Sequence, residues 1–151
     1  MELTVAKRSI EIKFDFKTMF KINNRLGTVN KETGERNADG VGTLFYKILE
    51  RDDSAVVDLV KLSVGSGKKA LSEDEVLDSI AELVEEEGST EALFKEIEND
   101  MVESGFFKEK ISKYIESMEK SVKYLEARED ADEAQIQIVK DMIGKMKDAI
   151  S

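Results

Sequence analysis

A change of period constrains this chain more than any other feature. Leu3 and Val5 alternate with polar neighbours, and so do Ile10, Ile12, Phe14 and Phe16. A repeat of two lines one face of a strand, so these short runs, separated by "AKRS", predict a β-hairpin. A lone hairpin is marginal in water and needs something to pack on. From Phe16 onward the apolar residues recur at steps of three and four, the period of a helix face. The expected fold is therefore mainly α. An N-terminal β-hairpin packs on a compact multi-helix domain, which ends in a C-terminal helical hairpin.

The stripes and their punctuation divide the helices. Phe16 to Leu26 predicts a first helix with Phe16, Met19, Phe20 and Asn23 on one side, stopped by Gly27. The polar "TVNKETGERNADG" predicts a loop. A second helix is expected from about Val41 to Arg51, with Val41, Leu44, Phe45, Ile48 and Leu49 inward. Asp52 or Asp53 caps a third, whose apolar residues are Val56, Val57, Leu59, Val60 and Val64. Ser72 to Glu75 is a capping box, in which the hydroxyl accepts from the N3 amide and Glu75 reaches back. It opens a stripe of Val76, Leu77, Ile80, Leu83 and Val84 that Gly88 ends. Ser89 or Thr90 caps the next helix, with Leu93, Phe94, Ile97, Met101 and Val102 inside and Gly105 as its stop. Phe107, Ile111, Tyr114, Met118, Val122 and Leu125 form a long stripe, and Asp130-x-x-Glu133 offers a restart. Ile136, Val139, Ile143, Met146 and Ile150 then repeat steps of three and four, which suits coiled-coil-like pairing. Residues 1–105 are read as a helical domain with its hairpin. Residues 106–151 are read as a helical hairpin or extension packed on the same domain.

Composition narrows the chemistry. The 151 residues contain no Pro, Cys, Trp or His. Without Cys there are no disulfides, thiolate metal sites or thiol nucleophiles. Without His the commonest general base and metal ligand is missing. "MELTVAKRSI" has no apolar core of a signal peptide, and no apolar run reaches membrane-spanning length. A soluble cytoplasmic protein is expected. The formal charge of −10 is concentrated. Residues 71–105 carry 13 acids against one base, Lys95, whereas residues 1–70 are slightly basic. A strongly acidic surface opposes general nucleic-acid binding. On the helix from Glu73 to Glu87 the acids lack the alternating loop pattern of a calcium site and read as a solvated face.

One stretch invites a catalytic reading. In "SVGSGKKALSEDE", Gly67-Lys68 resembles the end of a phosphate-binding loop. That template needs a glycine where Leu62 stands and a hydroxyl where Lys69 stands. Ser66-Gly-Lys-Lys69 matches S-x-x-K, but the companion motifs of that chemistry are absent from the chain. The stretch is better read as a connector between helices. No catalytic residue, metal ligand or cofactor site is assigned.

Candidate binding residues lie near the C-terminus. Ile138, Met142 and Ala149 flank the main stripe of the last helix and widen its apolar face. Met118, Met142 and Met146 could lie close together, and Met adapts to varied partners. These residues suit either a groove for a partner helix or for another copy of the chain, or ordinary three-way core packing. Of Phe106 and Phe107, one fits the core stripe and the other must point elsewhere. The candidate partner-binding set is Phe106, Met118, Ile138, Met142 and Met146.

The order of elements adds a family reading. "MELTV…EIKFDF", "KTMFKINNRLG", "GVGTLFYKILERDD", "SAVVDLVKLSV" and "ALSEDEVLDSIAELVEE" together resemble the small tail assembly chaperones of long-tailed bacteriophages, those of Gram-positive hosts above all. The likeness spans about residues 1–105 and rests on element order and apolar placement. It implies a non-catalytic protein that binds the long, hydrophobic, helical tape-measure protein, keeps it soluble, recruits tail-tube protein and then leaves. It implies self-association into homo-oligomers, action in the host cytoplasm and absence from the mature virion, and many such proteins are made in two lengths by a programmed frameshift. No cofactor, nucleic acid or membrane is called for. Two alternatives stand beside it. One is an acidic inhibitor or DNA mimic that captures a basic host protein, suggested by the acidic segment. The other is a small enzyme built on the Gly67-Lys68 loop.

Overall fold

Alternation in the first eleven residues produces two strands, β1 (Glu2–Val5) and β2 (Arg8–Glu11), paired antiparallel with Leu3 opposite Ile10. The computed structural model describes residues 1–65 and 70–151. The Gly67-Lys68 and Ser66-to-Lys69 matches therefore lie outside the described residues. Leu3, Val5, Ile10 and Ile12 turn inward onto the helices. Ala6 and Lys7 make the turn with φ of 50° and 62°. That left-handed pair matches the twist of a two-residue hairpin but strains residues with a Cβ.

Helix α1 (Phe16–Arg25) starts at Asp15, whose carboxylate accepts from the Thr18 amide at 2.9 Å. That bond holds the Asp15 carboxyl below its ordinary pKa. Its buried residues are Met19, Ile22 and Asn23. The inward face is thus rotated from the expected one, and Phe16 and Phe20 point to solvent. Met19, Ile22 and the half-buried Leu26 also step by three and four, and this second stripe occupies the core side. Asn23 is buried because its side-chain oxygen accepts from the Val41 amide at 3.3 Å, one of the donors that a helix start leaves unpaired.

Helix α2 (Gly40–Leu49) is the centre of the bundle. Seven of its ten residues are buried, and it touches α1, α3 (Asp53–Val64), α5 (Glu91–Glu103), α6 (Gly105–Glu126) and α7 (Glu133–Ile150). Gly42 allows α6 to approach closely, since a Cβ there would meet the ring of Tyr114. After α2, Arg51 adopts φ 58° and turns the chain into α3, which Asp52 caps. The Arg51 guanidinium donates to Glu91 at 2.7 and 3.0 Å and to the nearly buried Glu98 at 3.1 Å. It lies 5.7 Å from the Phe94 ring. This cluster ties the α2–α3 corner to α5, and the bonds to Glu91 lead in raising the Arg51 pKa.

Helix α4 (Glu73–Glu87) carries both bonds of the expected capping box and ends at left-handed Gly88. Only Val76 and Ile80 of its stripe are buried, and Leu77 is exposed. Two further expectations change. Gly105 does not stop α5. Ser104 closes α5 and opens α6 in one residue, with its hydroxyl donating to the Phe14 carbonyl at 2.9 Å. At the start of α7 the cap is Asp132, which accepts from Ala134 and Gln135, while Asp130 pairs with Arg128 instead. The last two helices pack against each other, and Phe107, Ile111, Ile115 and Val122 of α6 join Ile136, Ile143 and Met146 of α7 in one core.

A candidate aromatic docking surface

Five of the seven phenylalanines gather where the chain leaves the hairpin and where α6 begins. Phe107 is fully buried and meets Phe14 edge-on, ring centroids 5.3 Å apart. Its neighbour Phe106 points away from the core, because successive helical residues differ by about 100°. Phe106 meets Phe16 edge-on at 5.6 Å. Phe16, Phe20 and Phe106 are 56%, 58% and 49% exposed. Phe16 and Phe20 are four residues apart and share one side of α1. The three rings form an apolar surface over the seam between α1 and α6.

The seam continues into a cleft of about 200 Å³ lined by Asn23, Asp39, Lys110, Lys113 and Tyr114, among others. Burial raises the Tyr114 pKa, with a hydrogen bond to Thr43 opposing it and Asp39 adding to it. Lys113 pairs with Glu109 at 3.3 Å. Exposed rings beside long-chain cations and a hydroxyl offer large apolar contact area and hydrogen-bond donors. That combination fits the face of another polypeptide.

The five sequence-derived candidates separate. Phe106 belongs to the aromatic surface. Met146 is fully buried and Met118 is packed half-buried against the same core. Met142 is half-buried, and Ile138 is 60% exposed on the outer side of α7. Ile138 and Phe106 are far apart. The ion pairs Lys147–Glu119 and Lys140–Glu126 set α7 antiparallel to α6, which puts Ile138 beside the C-terminal end of α6. Phe106 is at the other end of a helix about 33 Å long. Sequence reasoning missed Phe16 and Phe20. The signal was the competition between the Phe16–Phe20 and Met19–Ile22–Leu26 stripes on one short helix.

Among the described residues, no group of three or more Asp or Glu side chains could hold a metal ion, and no helix is long and apolar enough to cross a membrane. A protein-family model described as phage tail assembly chaperone protein matches residues 2–116. The match runs from β1 through the first half of α6. No curated protein and no solved structure matches the chain.

Proposed function

The chain belongs to the phage tail assembly chaperone family, and from that premise we propose that it binds the hydrophobic, helical tape-measure protein and keeps it soluble during tail assembly. The role is one of binding without catalysis, carried out in the host cytoplasm and ended before the virion is complete. Tail-tube protein is the second partner, and copies of the chain associate along the client.

The observation that carries this reading is the exposure of Phe16, Phe20 and Phe106 together. Three large rings left in water cost the free protein solubility, and a client helix would cover them. The outward Ile138 and Met142 of α7 supply a second apolar contact. The net negative charge keeps a loaded complex from aggregating.

Co-expression with the tape-measure protein of the same phage tests the reading. The wild-type chain is expected to bring the client into the soluble fraction. The triple variant Phe16→Ser, Phe20→Ser, Phe106→Ser should fold and lose the rescue. Ile138→Asp with Met142→Asp should weaken it. A client that stays insoluble beside the wild-type chain would contradict the proposal. Full rescue by the triple variant would move the contact elsewhere.

A further inference from the structure

We infer that the groove between α2 and α6 is a docking site for an amphipathic partner helix with lysines on its flanks, and that α7 is its built-in, displaceable occupant. The apolar floor receives Ile136, Ile143 and Met146, the only buried residues among the eighteen of α7. Charge marks the rim. α7 has three cations, Lys140, Lys145 and Lys147. Each pairs with a carboxylate of the body: Lys140 with Glu126 at 3.2 Å, Lys147 with Glu119 at 3.2 Å, and Lys145 with Glu50 at 2.8 Å. The groove is therefore an apolar trough with three carboxylates at its rim, Glu119 and Glu126 on α6 and Glu50 at the end of α2.

Two features make the occupant exchangeable. The pairs are solvent-exposed on both sides, so each contributes little and is screened by salt. The buried stripe is narrow, and residues 127–132, exposed except for the half-buried Ala131, join the two helices. The matched family span ends at residue 116, so α2 and the first half of α6 lie inside it, while α7 and the part of α6 that carries Glu119 and Glu126 lie outside. A partner helix that presents apolar residues at steps of three and four between lysines would make the same contacts. A helix with acidic flanks would be repelled. The inference is separate from the aromatic surface and does not depend on which tail protein that surface takes.

A fluorescein-labelled synthetic peptide of residues 132–151 is the probe, added to the full chain. The chain has no Cys, so Glu119→Cys with Lys147→Cys gives one pair that a bismaleimide can lock. The unlocked double variant should bind the peptide, and locking should weaken binding at least tenfold. Reversing Lys140, Lys145 and Lys147 to Glu in the chain should loosen α7 and strengthen peptide binding about tenfold. The peptide with the same three reversals should bind at least tenfold more weakly. Equal binding to locked and unlocked protein would overturn the inference. So would equal binding of the reversed peptide, or no binding to the unlocked protein. The locked comparison decides alone if the reversed chain does not fold.

Discussion

Seven of the ten residues of α2 are buried, against three of the eighteen of α7. Both helices follow the same steps of three and four, and they differ in how many neighbours they have. α2 is enclosed by four other helices as well as by α7, and it needs two glycines to fit. α7 lies on α6 and the edge of α2, held by a narrow stripe and by exposed ion pairs. Burial of a large apolar side chain is worth about 1.5–3 kcal/mol. Openings that release α2 therefore cost nearly the whole fold, while α7 can open at the low end of the stability range. The Lys140–Glu126 and Lys147–Glu119 pairs stand one heptad apart on both helices, which fixes the register of α7 without fixing its strength.

The contrast can be broken from either side. Phe45→Ala on α2 removes a fully buried ring and should destabilise the whole protein by about 3–5 kcal/mol. Urea unfolding followed by circular dichroism reads this, and a loss confined to α7 would refute the central place of α2. Gly42→Ala puts a methyl where the Tyr114 ring sits, and we expect a loss of about 1–3 kcal/mol in the same experiment. Ile143→Val on α7 should cost about 0.5–1.5 kcal/mol, seen as faster amide exchange in α7 with its opening free energy still below that of α2.

Acid should act on the weaker side first. The bond from Lys145 holds the Glu50 carboxyl below its ordinary value of 4.5. A depressed carboxyl contributes its stability above the unfolded value and loses it as pH falls through the folded one. α7 should therefore exchange faster, after correction for intrinsic rates, at about pH 3.5 than at about pH 6. Lys145→Met should remove Glu50's share of that difference. The smallest effect on stability is expected at the aromatic surface. Phe106→Ala should change unfolding by no more than about 0.5 kcal/mol while lowering client rescue.

Much of this fold was legible in the sequence because strong local signals agreed with the tertiary solution. The hairpin faces, the α2 stripe, the Ser72–Glu75 capping box and the Gly88 stop all follow from residue types at fixed spacing. The misreadings share a physical cause. On α1 two apolar stripes compete, and only the positions of α2 and α6 decide which is buried. Leu77 fits its helical stripe, yet it is exposed, since α4 packs mainly on α3 and the hairpin. Ser104 serves two helices at once, which no propensity of Gly105 could signal. The candidate site was half legible for the same reason. The doublet Phe106-Phe107 shows that one ring must leave the core, but its meeting with Phe16 spans ninety residues of chain. Met118 and Met146 look adaptable by composition and are held by their neighbours in the core.

Native-state amide exchange on the full chain, resolved by peptide, tests most directly whether α2 and α7 differ in kind. We expect α7 to open at a lower free energy than α2, with added salt speeding exchange in α7. Exchange of α2 and α7 together, at one opening free energy, would contradict the division.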